Sequence, residues 1–288
     1  MDLQELAELC SNSGRWGASD DLGTLNFITP QKVLEAMALV RVGQVIPLGK
    51  VATGRLSGQA PPSFSRQEMP RETDSYSIEE VMSFNPHGFE LTHLDALSHV
   101  SLNGILYNER LVNVLEEDFE IPLGSMLSTS KGIMTRGVLL DVAAARGLDK
   151  LASGVGITVT DLLQAEELAG QRVGTGDAVV VRSGYDMAAE GNCATGVLPE
   201  VVEWLHSREV AVFAGDVIEQ LPSGDPLMPM PLHQIGLARM GLSLLDCLDV
   251  ECLAAACREF GTNEFLLSVA PLRLLGATAS PVNPLAVF

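Results

Sequence analysis

The sequence predicts a mixed α/β fold in one domain, and three observations carry that expectation. Short runs rich in Val and Leu, bounded by Gly, Asp or Pro, recur along the chain; segments of helical spacing lie between them; and the apolar runs are nearly continuous. Strands that read this way belong to a sheet buried at least in part on both faces. With 288 residues, 47% of them hydrophobic and 19% charged, the chain can bury a core that offsets its conformational entropy. That length fits one large domain or two small ones; no internal repeat or long low-complexity segment divides it, and one domain over 1–288 is expected.

In chain order, Thr29 and Pro30 open the first helix. Thr serves as N-cap, Pro takes the first helical position, and QKVLEAMALVR continues at helical period until Gly43 ends it. VGQVIPL follows as a strand. Gly54 to Asp74 mixes Gly, Pro, Ser and charge without periodicity, and reads as a flexible lid, an arm reaching a neighbouring subunit, or a plain surface loop. GVLLDVA (137–143), AVVVRSG (178–184), VAVFAGD (210–216) and FLLSVAPL (265–272) read as further strands. Between them, DLLQAEELA (161–169), PEVVEWL (199–205) and DVECLAAACREF (249–260) have helical spacing.

Charge removes several function classes. Against 18 Lys and Arg stand 37 Asp and Glu, a formal charge of −19, whereas nucleic-acid and membrane-surface binding both need clustered cations. MDLQELAELC carries acids where a signal peptide is basic, and no apolar stretch approaches the roughly 18 residues of a membrane span, so a cytoplasmic protein is expected. Five cysteines, Cys10, Cys193, Cys247, Cys252 and Cys257, are odd in number, and the spacing of five in the last three puts no two on one helical face. Buried free thiols are the favoured reading. The glycines lack the spacing of a dinucleotide or phosphate loop, and no G-x-S-x-G elbow occurs.

The chemistry is concentrated. Three of the five histidines, His87, His93 and His99, fall within HGFELTHLDALSHV together with Asp95. In extended backbone His93 and Asp95 project to the same face, and His99 shares a face with Asp95 where the chain turns helical. Imidazole and carboxylate without thiol suit zinc or manganese. Each histidine taken singly reads better as part of a His-rich loop or as a satisfied core residue; the cluster of three with an Asp favours a metal. His206 lies near a helix C-terminus, where the dipole favours a cation and a surface structural role. Asp216, at a strand end, fits either a turn or a contact with substrate. Met228 and Met230 fit loop packing better than an adaptable pocket.

Thr92-His93-Leu94-Asp95-Ala96-Leu97-Ser98-His99 resembles the T-H-x-D-A-x-x-H core of the metal-dependent cyclase family, which includes bacterial kynurenine formamidases, isatin hydrolase-like enzymes and cyclases of aromatic polyketide pathways. The resemblance spans nearly the whole chain. Arg15-Trp16-Gly17 through Asn26 and Thr29-Pro30 match the opening of the longer-chain branch; Gly104 with Tyr107-Asn108, and Gly176-Asp177 leading to Arg182-Ser183-Gly184-Tyr185, match its middle; Pro271-Leu272-Arg273 and Ser280-Pro281-Val282-Asn283-Pro284 match its close.

The resemblance implies the family's swivelling β/β/α fold and one or two divalent ions, Zn2+ or Mn2+. It makes His93 and Asp95 metal ligands, His99 the general acid/base, and His233 the distant His ligand. It also puts Asp246 where the family usually has a Glu, one methylene longer. The family's first His falls here at Phe89 and its following Gly at Leu91; His87, six residues before His93, joins the site only where the chain turns at His87-Gly88, and Glu90 is a further substitute. An ion so held lowers the pKa of bound water from about 15.7 towards 7 and polarises a carbonyl. The implied activity is hydrolysis of a small cyclic or aryl amide. The alternatives are a cyclase or dehydratase of secondary metabolism, or a relative that binds a small molecule without catalysis. A homodimer or homotetramer is implied, and the acidic surplus favours a neutral substrate.

Overall fold

The computed structural model describes residues 2–52, 63–69, 77–112, 124–186 and 194–288. Its centre is a nine-stranded mixed sheet. The strands lie in the order Val45–Pro47, Leu285–Val287, Glu264–Val269, Ile133–Asp141, Ala178–Arg182, Val212–Gly215, Ser243–Asp246, His93–Asp95 and Ala279–Pro281. The four from Ile133–Asp141 to Ser243–Asp246 run parallel, and antiparallel strands extend the sheet on either side. A smaller parallel sheet joins Ile218–Glu219, Gly196–Val197 and Gly156–Ile157.

The near-continuous apolar strands are explained by a core on each face. Val138, Leu140, Val179, Val181 and Phe213 point to one side, with the helices Val159–Ala169, Glu200–Ser207 and Pro231–Ile235. Leu139, Val180, Val212, Ala214 and Leu245 point to the other, against the helix Glu251–Phe260. Alternate residues thus enter different cores, and each must be apolar. Among the described residues, no helix is long and apolar enough to cross a membrane.

The helix Pro30–Met37 begins as predicted, with the Thr29 side chain accepting from the Lys32 N–H, but it ends well before Gly43. Tertiary bonding overrides the helical pattern: the N–H groups of Val42 and Gly43 donate to the Phe288 carbonyl at 3.1 and 2.7 Å, which draws this segment towards the edge strand. Within Gly54–Asp74 the expectation of a loop is corrected at Ser63–Met69, a strand paired antiparallel with Ser77–Ser83 from Ser63↔Ser83 to Met69↔Ser77. SFSRQEM has few apolar residues, so it offers no period to read. The rest of that stretch lies outside the described residues, as does Cys193. Cys10, Cys247 and Cys257 are buried free thiols pushed up to about 12 by burial, whereas Cys252 is exposed, a correction to the reading of all five as buried.

Several segments quoted for the resemblance act as scaffold. Asp177 is fully buried and accepts from Arg136 at 2.9 and 2.5 Å, from the Gly174 N–H at 2.8 Å and from Lys32. Tyr107 donates to Asp20 at 2.9 Å, and the Asn108 amide reaches the carbonyls of Gly17 and Asp20. Arg182 clamps Glu251 and Asp141 at 2.8 and 2.9 Å.

Asp161 supplies a pH prediction. It closes the capping box of Val159–Ala169 and takes two bonds from Arg146, at 2.7 and 2.6 Å. Burial raises its pKa, but Arg146 and Thr158 outweigh this and bring it down to about 2. A depressed carboxyl contributes stability above its unfolded value of roughly 4, and that contribution disappears as pH falls towards about 2. Asp161→Ala should therefore cost about 1–2 kcal/mol at pH 7. In urea titrations the gap from wild type should close between about pH 4 and 2; a gap constant with pH would exclude the ion pair as its cause.

Candidate metal centre

The strand His93–Asp95 lies between Ser243–Asp246 and Ala279–Pro281, both antiparallel to it. Its alternation sends His93 and Asp95 to one face, and the register puts Asp246 directly opposite His93. Just beyond the strand a tight turn, with the His99 N–H donating to the Ala96 carbonyl at 2.9 Å, returns His99 to Asp95. A turn, and not a helix, brings those two residues together. The chain also turns around His87-Gly88, so His87 is not held at extended distance: its Nδ1 lies 3.1 Å from Asp95 Oδ1 and its Nε2 3.0 Å from Thr278 Oγ1.

His233 comes from the short helix Pro231–Ile235. Its Nε2 is 3.1 Å from Asp246 Oδ2 and 3.6 Å from Asp95 Oδ2. Ligand atoms of His93, Asp95 and Asp246 lie within 4.8 Å of one another, as do those of His87, Asp95 and His99. Asp95 belongs to both groups. The rings of His87 and His99 stack at 3.6 Å, 10° from parallel. Phe89, where the resemblance places a first His, is exposed, and Glu90 is in neither group. The shorter Asp246 reaches the cluster because its strand pairs directly with that of His93.

The donor set fits a cation. His93 Nδ1 donates to the Leu91 carbonyl at 2.9 Å, an acceptor only, which leaves Nε2, 3.7 Å from Asp95 Oδ1, as the nitrogen able to ligate a cation. Asp95 Oδ2 and Asp246 Oδ1 are buried with no hydrogen-bond partner. Acceptors buried without a partner are costly, and a cation ligated by them would satisfy both. Burial works to raise Asp95, but the imidazoles of His233 and His87, with His93 and His99 nearby, hold it well below the usual carboxylate range. Burial works to lower His233, but Glu219, Asp246 and Asp95 carry it well above the ordinary histidine value. Burial pushes His99 down to about 4 against the pull of Asp95, which leaves a neutral ring at neutral pH.

Two contributors escaped the sequence reading. Glu219, buried, faces His233 Nδ1 at 2.8 and 3.0 Å; an acid inside the apolar VAVFAGDVIEQ was its available signal. Thr278 had none. Asp216 proves to be a turn residue: its carboxylate accepts from the N–H groups of Ser183 at 2.9 Å and Gly184 at 2.7 Å, and burial raises it to about 7. His206 is corrected from a helix-end cation, since burial and Arg15 lower its pKa and its Nε2 sits 3.3 Å from Asn12 Oδ1. Met228 is buried in the core.

The Cyclase family profile matches residues 33–219, well over half of the chain, and the protein belongs to that family. No curated protein sequence gives a significant match. A crystal structure described as a novel cyclase superposes with a TM-score of 0.84 at 24% identity, covering 96% of this chain and 99% of its own. Isatin hydrolase A from Labrenzia aggregata, bound to benzyl benzoate, gives 0.58 at 20% identity, covering 89% and 97%. A protein described as a predicted metal-dependent hydrolase from Bacillus stearothermophilus gives 0.51 at 17% identity, covering 85% and 98%. The shared feature is the fold, the swivelling β/β/α type that the sequence resemblance implies.

Proposed function

We propose that this protein is a metal-dependent hydrolase of a small, neutral cyclic or aryl amide. The observation that carries the reading is the buried, unpartnered Asp95 Oδ2, set among the imidazoles and the carboxylate of Asp246. His93, Asp95, Asp246 and His233 would hold one Zn2+ or Mn2+, and Asp95 would share a second with His87. A divalent ion there supplies Lewis acidity towards a carbonyl and acidifies water. His99, neutral and beside Asp95, accepts a proton at a ring nitrogen and returns it to the departing amide nitrogen. The same reading makes the protein a cytoplasmic homodimer or homotetramer.

The family's own description favours ring closure as a second reading. A general base at His99 beside a Lewis acid would serve an enolising ketone equally well. Hydrolysis of isatin or N-formylkynurenine by protein carrying stoichiometric metal separates the two; turnover of neither, with cyclisation of a polyketide-like ketone, selects the second. His99→Ala should lower turnover about 100- to 10,000-fold while metal content stays at the wild-type level. Loss of metal along with turnover would make His99 a ligand.

A further inference from the structure

Glu219 belongs to the cluster yet stands on its outer side. Both its oxygens lie within hydrogen-bond reach of His233 Nδ1, at 2.8 and 3.0 Å, while His233 Nε2 is directed to Asp246 Oδ2 at 3.1 Å and Asp95 Oδ2 at 3.6 Å. The two ring nitrogens point in widely different directions, so a carboxylate at Nδ1 is not placed to share an ion with Nε2. We propose that Glu219 is a positioning residue that holds the His233 proton on Nδ1 and thereby commits Nε2 to the metal. The inference rests on the metal-site reading above.

The argument is one of donors and acceptors. Ionised carboxylates only accept, so the ring offers a hydrogen on each side, to Glu219 from Nδ1 and to Asp246 from Nε2. A cation held by Asp246 and Asp95 would displace the hydrogen on Nε2, and Glu219 would keep the one on Nδ1, leaving the lone pair on Nε2. Contact with both carboxylate oxygens also fixes the rotation of the ring, which a single carbonyl would restrain less. An anion behind an imidazole makes the opposite nitrogen a stronger electron donor.

The local backbone is arranged to bring the acid there. Ile218–Glu219 is not part of the nine-stranded sheet; it pairs parallel with Gly196–Val197, in the register Gly196↔Ile218 and Val197↔Glu219. A Cβ on Gly196 would lie 2.3 Å from the carbonyl carbon of Glu219 and from the oxygen of Ile218, so the absence of a side chain at 196 is what lets the two strands approach. Glu219 itself is 2% exposed. Its charge is removed from water and faces a ring that bonds the cluster's carboxylates, and no part of the scaffold uses it otherwise among the described residues.

The test compares wild-type protein, Glu219→Gln and Glu219→Leu. Zn2+ affinity is measured by competition with a chromophoric chelator, and ring protonation by long-range 15N–1H spectra of histidine-labelled, Zn2+-loaded protein. Wild type should show His233 protonated on Nδ1. The Leu variant should bind Zn2+ about 10- to 100-fold more weakly, and Gln, whose amide oxygen can still accept from Nδ1, should recover part of the loss. A merely structural residue would lower the thermal stability of the metal-free protein and leave the affinity of the folded fraction and the tautomer unchanged. Equal Zn2+ affinity in all three, with tight binding by wild type, overturns this inference alone, as does a wild-type ring protonated on Nε2. Wild type that takes up no Zn2+ overturns the metal reading and this inference together. If the Leu variant does not fold, Gln decides: unchanged affinity and tautomer refute the proposal, and weaker binding supports it.

Discussion

Asp95→Asn should give a folded protein that retains no metal and no longer gains stability from it. Asp95 is fully buried in the middle strand of the site, and its two oxygens face different imidazoles, Oδ1 towards His87 at 3.1 Å and Oδ2 towards His233 at 3.6 Å. It is also common to both groups of converging ligand atoms. Asn preserves the volume, removes the charge and replaces one acceptor oxygen with an NH2 donor, so neither group stays intact. A ligand that binds only the folded state stabilises by about 4 kcal/mol at a thousand times its dissociation constant. For a domain of this size that corresponds to a rise in Tm of roughly 8–16 °C. Wild type should show such a rise with added Zn2+ or Mn2+ and lose it to chelator; the variant should melt at one temperature in both. Equal metal response in the two proteins would rule out Asp95 as the shared ligand.

Gly23→Ala should be the most damaging single methyl addition in the scaffold. Gly23 has φ +58°, and a Cβ there would lie 2.1 Å from the Gly241 carbonyl oxygen and 2.8 Å from its Cα. Both are backbone atoms, so no flexible side chain can move aside. The same carbonyl accepts from the Thr24 N–H at 2.8 Å and the Thr24 hydroxyl at 3.1 Å, which pins the two segments together. A loss of about 3–5 kcal/mol is expected from strain combined with a clash that the packed interior cannot relax. Gly14 is the control: its φ is +73°, yet a Cβ meets nothing within 4 Å. Gly14→Ala should cost only about 1–2 kcal/mol, the left-handed penalty alone. Similar losses in the two variants, measured by urea unfolding, would show that the contact with Gly241 contributes nothing. The consequence reaches the site as well, because Gly241 closes the helical segment that begins with the turn carrying His233.

These residues also show what can be read from the chain alone. Three of the four parallel strands, Ile133–Asp141, Ala178–Arg182 and Val212–Gly215, were legible because burial on both faces forces nearly every position to be apolar, which leaves an unbroken run; the fourth, the short Ser243–Asp246, was not read as a strand. The hairpin at Ser63–Met69 and the two-residue strands of the small sheet were not, since backbone pairing specifies them without an apolar period. Half of the site was legible for a simple reason: His87, His93, Asp95 and His99 are neighbours in sequence, so local turns suffice to gather them. His233 and Asp246 could be placed only through the resemblance to a family. Glu219 and Thr278 contribute from segments whose proximity depends on tertiary folding, and an isolated Glu or Thr carries no mark of its eventual neighbour. Helix ends were misjudged at Met37 because a distant carbonyl, that of Phe288, captured donors that propensity alone assigns to the helix.

The position of the His93–Asp95 strand has a temporal meaning. It is made early, yet the strands on either side of it come from about 150 and 185 residues further along. A chain emerging from the ribosome would carry the clustered histidines exposed to cellular metal long before Ser243–Asp246 and Ala279–Pro281 exist to enclose them. Closing such long loops is slow. A metal held at this site would therefore not nucleate the fold as it does in small zinc modules; it would be captured in its final geometry only after most of the polypeptide had been synthesised, and its incorporation would report the completion of folding.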